Sequence, residues 1–324
     1  VSGGEVQRAI ESGFPAQQIV YAGVGKSDRE IQLALQHDIL CFNVESIPEL
    51  QVINEIAAQQ NQVARVCLRI NPDVAAHTHQ FIATGKAENK FGIAYADMME
   101  VIQIASRLEH IQLIGLHFHI GSQITDMNDY IHLCERINTI QSMLEEQSIH
   151  LSLINVGGGL GVDYESPQTN AIPDFDAYFE VFAQYLQLQP NQSLHFELGR
   201  SVVAQCGSLI AQVLYVKQTP TKRFVILDAG MTELIRPALY QAKHKIDNLS
   251  STSPIIERYD VVGPICESSD VFAKDILLPT TKRGDIIVIH SAGAYGESMA
   301  STYNCRPLPP TYTNEEITIE YSLL

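Results

Sequence analysis

"LSLINVGGGLG", Leu151–Gly161, runs from a short apolar alternation straight into three consecutive glycines and then a fourth. A run of this length bounded by glycine reads as a strand, here Leu151–Val156. The glycines after it form a turn whose backbone can approach an anion closely, with N–H groups as donors. The same unit recurs in kind along the first 200 residues. Strands are expected at Gln18–Tyr21, Ile39–Val44, Ala64–Ile70, Ile111–Phe118 and Ser193–Leu198, with helical patterns such as "YADMMEVIQIASRL" and "DAYFEVFAQYLQL" between them. Strands alternating with helices imply a parallel sheet.

Counting separates two architectures. There are six whole strands, and Val1–Ser2 reads as the tail of an earlier one ahead of the helical "GGEVQRAIESG". A closed (β/α)8 barrel of the TIM type needs eight. The expected fold is therefore such a barrel without its first strand and most of its second. An open doubly wound sheet explains the same pattern with no piece missing and stays as the alternative. After Arg200, "SLIAQVLYVKQ", "RFVILDAG", "YDVVGPIC" and "GDIIVIHSAGAY" are strand-like, and "TELIRPALYQAKH" alone reads as helical. The expected division is a barrel over 1–200 and a mostly antiparallel β domain over 201–324, without a low-complexity linker.

Bulk properties narrow the function. The 324 residues carry a net charge of −16, with 45% hydrophobic and 18% charged residues. That acidity argues against a nucleic-acid partner, which a basic surface would have to hold. No apolar run reaches the length of a membrane span, and no stretch reads as a signal peptide. The six cysteines (Cys41, Cys67, Cys134, Cys206, Cys266, Cys305) contain no CxxC pair. They suit a reducing compartment and a cytoplasmic enzyme.

"GVGKS", Gly23–Ser27, suggests a phosphate-binding loop, but the Walker pattern requires glycine where Val20 stands. Ser27 and Glu30 instead form a capping box opening a helix. In a barrel, phosphate is commonly held by the loops after the last two strands. Those loops read "NVGGGLG" (Asn155–Gly161) and "ELGR" (Glu197–Arg200), so the phosphate site is expected there. His117 and His119 are two apart on one strand face. They read either as a zinc pair of a barrel hydrolase or as one functional histidine with a packed neighbour. "HTH", His77–His79, is expected in a loop. Glu197 ends an apolar strand and needs a cation or a proton-bearing ring nitrogen, the arrangement that makes pyridoxal phosphate an electron sink. Arg236 and Tyr240, four apart on one helix face, suit a carboxylate. Cys266 and Glu267 follow "GPI" in a turn that could expose both. Tyr295, between glycines, is large for a turn and is a candidate ligand contact.

Taken together these segments resemble the diaminopimelate decarboxylases, pyridoxal-phosphate enzymes of the alanine-racemase-like barrel class. "HIGSQ", "NVGGGLG", "ELGR", "DAGMTELIRPALY", "GPICESSD" and "AGAYG" stand in the family's order, and "VSGGE", "GKSD", "FNVES", "LRINPDVAAHTH" and "TGKAENKFGI" resemble its earlier segments. Ornithine and arginine decarboxylases share the cofactor pieces, whereas "RPALY" and "CES" look like the diaminopimelate branch. The resemblance implies that His119 stacks on the cofactor ring and Ser122 helps hold its phosphate. Gly158, Gly159 and the backbone around Gly199 would bind phosphate oxygens, and Glu197 would pair with the pyridine nitrogen. Arg200, Arg236 and Tyr240 would hold a substrate carboxylate, and Glu267 the far amino group. Cys266 would return a proton after carbon dioxide leaves, and Tyr295 would touch both cofactor and substrate. It also implies a homodimer, with Cys266 and Glu267 reaching the partner's site, no metal, and conversion of meso-diaminopimelate to lysine.

Two departures accompany the resemblance. The family usually has proline where Leu198 stands. Its cofactor-binding lysine lies on the first barrel strand in a "YAxKAN"-like motif, which the resemblance places ahead of Val1. Lys26 and Lys90 match no such motif. The 324-residue chain alone is therefore expected to be an inactive or nearly inactive fragment of a decarboxylase. A non-catalytic decarboxylase-like regulator is the other expectation that this departure allows.

Overall fold

The structure is a computed structural model that describes residues 1–74 and 90–313; His77–His79 lie outside them. It divides into two compact units, residues 1–161 with 174–199, and residues 162–173 with 200–324.

The first unit alternates helices and parallel strands. Helix α1 (Gly3–Glu11) precedes β1 (Val20–Tyr21), α2 (Asp28–Gln36), β2 (Cys41–Val44), α3 (Ile47–Gln59) and β3 (Ala64–Asn71). Then come β4 (Ile93–Ala94), α4 (Met98–Ala105), β5 (Ile111–His117), α5 (Met127–Glu146), β6 (Leu153–Asn155), α6 (Phe175–Tyr185) and β7 (Ser193–His195). Local chemistry sets the boundaries. Glu30 accepts from the backbone N–H and hydroxyl of Ser27 at the start of α2. Ser46 accepts from the Glu49 N–H, and Pro48 occupies the first turn of α3. Both are helix-start signals that the bare sequence carries. Val1–Ser2 pairs with no strand among the described residues. Ser2 is extended, and its hydroxyl caps α1 by accepting from the Glu5 N–H.

All six whole strands expected from the sequence form one sheet, in the order β1-β2-β3-β5-β6-β7, every adjacent pair parallel. Strand β4 is an addition, pairing with the end of β3 through Ile70 and Asn71. All four residues of β2 and seven of the eight in β3 are buried, as expected for a parallel sheet covered on both faces. The helices cover one face, α5 through Tyr130, Leu133, Ile137, Ile140 and Leu144 at helical spacing. Tyr130, Tyr178, Phe182 and Phe196 meet edge-on or tilted beneath α5 and α6.

The sheet curls as a barrel wall. Asn43 of β2 and Glu197, two residues past β7, share a hydrogen bond of 3.0 Å although β3, β5 and β6 stand between their strands. In a flat sheet those strands would be about 19 Å apart, four spacings of roughly 4.8 Å. Strands β2 and β7 therefore face each other across an arc, which excludes the open doubly wound alternative.

The second unit begins with Val162–Pro173 and resumes at α7 (Arg200–Val203), followed by β8 (Leu209–Gln218), β9 (Arg223–Leu227), α8 (Arg236–Tyr240), β10 (Ile246–Asn248), β11 (Ile256–Val262), β12 (Val271–Pro279) and β13 (Ile286–Ile289). These strands form a sheet in the order β10-β13-β8-β9-β11-β12, antiparallel except between β9 and β11. Long β8 pairs with β13 in its first half and with β9 in its second. Its core is built on Val213, Val225, Leu227, Tyr259, Val261, Phe272 and Ile287. Helix α8 is shorter than "TELIRPALYQAKH" suggests. Glu233 turns its carboxylate back to the Gly230 N–H, Pro237 sits in the first turn, and Gln241 adopts a left-handed conformation that ends the helix.

Candidate active site

Registered residues of adjacent parallel strands share a face. At the C-terminal ends of β3, β5, β6 and β7, Arg69 stands opposite His117, His117 opposite Asn155, and Asn155 opposite His195. The polar row Arg69–His117–Asn155 is buried.

Glu197 lies above this row. Its Oε1 accepts from the side-chain amides of Asn43, at 3.0 Å, and Asn155, at 2.8 Å. Its Oε2 is 3.6 Å from Nε2 of His117. That is too far for a hydrogen bond, and neither ring nitrogen of His117 has a partner among the described residues. Burial, with the charges of Arg69 and Lys26 nearby, holds His117 well below the usual histidine range, so its ring is neutral. Burial and Arg69 likewise push His119 down to about 3. The row thus presents a carboxylate with one oxygen saturated by amides and two uncharged imidazoles beside it. Arg69 is engaged elsewhere, 2.9 Å from Glu45, whose carboxylate also accepts from the N–H groups of Gly23 and Gly92.

The glycine loop closes over the same end of the sheet. A Cβ on Gly158 would come 2.1 Å from the carbonyl oxygen of Glu197, and Gly159 has a φ of +103°. The N–H of Glu197 donates to the Gly157 carbonyl at 2.7 Å, so the loops after β6 and β7 lie against one another. Gly157 and Gly158 are buried, which excludes a loose surface turn. The Gly158 N–H points at Nδ1 of His119, 3.4 Å away. Ser122 is half-buried in the loop after β5.

"GVGKS" is a strand-to-helix turn. The buried Lys26 ammonium donates to the carbonyls of Gly23 and Asn43 and to Glu49, at 2.7, 2.7 and 2.6 Å. Three acceptors consume it, leaving nothing for a phosphate. Among the described residues no third histidine, cysteine or carboxylate joins His117 and His119 in a metal-holding group.

In the second unit Arg236 is buried, its guanidinium 4.4 Å from the centre of the Tyr164 ring. The Tyr164 hydroxyl accepts from Arg200 at 2.9 Å, and the Arg200 guanidinium lies 5.5 Å from the Tyr295 ring centre. Tyr240 ends α8 one turn from Arg236 and is half-buried. Cys266 and Glu267 are exposed at the turn after β11, as the sequence suggests. Asp270 fastens that turn, accepting from the N–H groups of Ile265 at 2.8 Å and Met231 at 2.7 Å. The Tyr303 hydroxyl donates to Glu267 at 2.8 Å, and the Cys266 N–H to Asn304 at 3.1 Å.

Residues 1–204 match the family model of the pyridoxal-binding domain of pyridoxal-dependent decarboxylases. A diaminopimelate decarboxylase of Bacteroides thetaiotaomicron is 62% identical over 98% of this chain and 82% of its own length. The chain belongs to the diaminopimelate decarboxylase family. The crystal structure of that family's Helicobacter pylori member, complexed with L-lysine, superposes with a TM-score of 0.88 at 45% identity, covering 95% of this chain and 76% of that one. The family member from M. jannaschii, also with L-lysine, gives 0.85 at 38%, covering 95% and 72%. The relatives share the curled parallel sheet and the separate β unit. The cofactor is pyridoxal phosphate, and the donor set fits it. Glu197 offers a carboxylate oxygen free of amide donors, His119 is an uncharged ring, and the glycine backbone has no room for side chains.

Sequence reading missed Asn43, Asn155, Tyr164 and His244. The signal for the first two was a lone amide inside each of the apolar strands "CFNV" and "LIN". No local signal marks Tyr164, which lies 36 residues before Arg200 and 72 before Arg236. The described residues of the chain include no helix long and apolar enough to cross a membrane.

Proposed function

We infer that the protein decarboxylates meso-diaminopimelate to L-lysine and carbon dioxide with pyridoxal phosphate. The observation that carries this reading is the Glu197 carboxylate, fixed by Asn43 and Asn155 with its second oxygen left for a ring nitrogen. When bound, pyridoxal phosphate supplies a protonated ring that accepts the electron pair released as the carboxyl group departs. Glu197 would keep the ring nitrogen protonated, because an ionised carboxylate beside it raises that nitrogen's proton affinity. His119, uncharged, would stack on the ring face without competing for the proton. Gly158, Gly159 and Gly199 would give backbone N–H groups to phosphate, assisted by Ser122.

Arg200, Arg236 and Tyr240 would hold the substrate's distal carboxylate, with Tyr295 against cofactor and substrate. Glu267 would bind the far amino group, while the carboxylate clamp would distinguish diaminopimelate from diamino acids that lack a second carboxylate. The Cys266 thiol would deliver a proton to the carbon that lost carbon dioxide. We assign Cys266 and Glu267 to the partner's site in a homodimer, supported by their exposure at a turn tied down by Asp270. Residues to about 200 act as the cofactor-binding domain and those beyond as the substrate-binding β domain. Six free cysteines support a cytoplasmic setting.

The test is release of carbon dioxide and lysine from meso-diaminopimelate by the full-length enzyme loaded with pyridoxal phosphate. Glu197→Ala should abolish it, and Glu267→Ala should raise KM for diaminopimelate. Unchanged turnover in Glu197→Ala would overturn the reading.

A further inference from the structure

The setting of Arg236 assigns a role to a residue outside the clamp itself. One terminal nitrogen of its guanidinium lies 2.8 Å from Nε2 of His244, and Nδ1 of the same imidazole lies 2.8 Å from the His290 carbonyl oxygen. A guanidinium only donates and a carbonyl only accepts. Nδ1 therefore carries the hydrogen and Nε2 receives one, which fixes both the tautomer and the neutral state of the ring. His244 is buried and meets the Tyr164 ring edge-on at 4.9 Å. Tyr164 in turn lies under Arg236 and accepts from Arg200.

The charge balance of this cluster is unusual. A buried arginine is ordinarily paired with a carboxylate. Among the described residues no carboxylate forms an ion pair with Arg236, and its buried Nε has no hydrogen-bond partner. Tyr164, Arg200, Tyr240 and Tyr295 bear on its charge, and none of them is a carboxylate. Its protein acceptor is an uncharged ring.

We propose that His244 is a specificity-determining positioning residue, a charge-neutral acceptor that fixes the Arg236 guanidinium on Tyr164 while leaving its charge for a substrate carboxylate. Three features of the side chain matter. It accepts one N–H, which orients the guanidinium fork. It donates to His290, which holds the acceptor in place. It brings no negative charge, so Arg236 is not neutralised from within. A glutamate would satisfy the same N–H but act as a built-in competitor for the substrate carboxylate. An aliphatic residue would leave the guanidinium free to rotate. Glutamine retains both an acceptor and a donor without charge.

This proposal rests on Arg236 as a carboxylate clamp, and the experiment separates the two. Steady-state kinetics on meso-diaminopimelate with the cofactor-loaded enzyme, and calorimetric binding of L-lysine, would be measured for His244→Glu, His244→Leu, His244→Gln and Arg236→Met. His244→Glu should raise KM about tenfold or more, with kcat changing less than about threefold, and weaken lysine binding in parallel. His244→Gln should restore KM to within about threefold of the parent. A folded His244→Glu protein with KM within about twofold of the parent overturns the role of His244. If that variant does not fold, His244→Leu decides by the same thresholds. If Arg236→Met leaves KM unchanged, the clamp reading fails, and the proposal with it. A raised KM in Arg236→Met beside an unaltered one in the His244 variants overturns the proposal alone.

Discussion

Nε2 of His117 stands 3.6 Å from Oε2 of Glu197, yet the two are not an ion pair. The imidazole is buried without a hydrogen-bond partner among the described residues and is held neutral. Glu197 draws its support from amides that cannot carry charge. The carboxylate therefore keeps its full negative charge for whatever cation enters above it. A charged histidine at that distance would have spent it.

The asparagines are the first test. Asn43→Leu removes one charge-assisted hydrogen bond to Glu197, worth about 1.5–3 kcal/mol, and should lower pyridoxal phosphate affinity about tenfold or more. Asn43→Asp should be worse for turnover at neutral pH, because two carboxylates about 3 Å apart share a proton and cannot both ionise. Cofactor titration by absorbance, with kcat for both variants, checks the order.

The histidines set an acid limit on stability. His117 lies well below its usual range, His119 at about 3 and His244 at about 4, while the unfolded chain titrates near 6.5. Between those values the unfolded state binds more protons, so stability rises with pH and is lost on acidification. Each such histidine contributes a slope approaching about 1.4 kcal/mol per pH unit below 6.5. Urea unfolding of the cofactor-free protein at pH 7, 6 and 5 should show falling midpoints. His244→Gln should flatten the fall.

Gly158→Ala would drive a Cβ into the Glu197 carbonyl, 2.1 Å away. Backbone on both sides leaves little room to yield, so the loops after β6 and β7 must part. A loss of about 1–3 kcal/mol is expected, with cofactor lost on desalting. Retention of cofactor at parental affinity would show that the contact between these loops is dispensable.

Asp270 accepts two backbone N–H groups, a buried one from Ile265 and a part-buried one from Met231. Asp270→Ala should cost about 1–3 kcal/mol for each orphaned donor. It should also reduce kcat and raise KM together, since the turn it fastens carries both Cys266 and Glu267. Denaturation midpoints and steady-state kinetics on the same preparation check both effects.

The strands of the first unit were legible because apolar runs alternate with strong helix starts such as Ser27–Glu30 and Ser46–Glu49. The glycine loop and Glu197 were legible for the same reason, each standing directly after such a run. Strand β12 was not, since "VFAKDILLP" buries only Phe272 and Leu278 and offers no clean alternation. Tyr164 was invisible because its partners are tertiary, and α8 was overextended because Glu233 caps backward in a way that a helical pattern cannot show. Curvature, too, lies outside any local signal; it is recorded in a contact between residues 43 and 197.

The passage of Val162–Pro173 into the second unit makes the two units poor candidates for exchange between relatives. The chain changes unit at 161, 173 and 199, so a chimera joined at a single point near residue 200 would take its β unit from one parent and Tyr164 from the other. The arginines would then sit on a foreign tyrosine. Recombination that respects the clamp must carry two separate stretches together, because Tyr164 touches Arg200, Arg236 and His244.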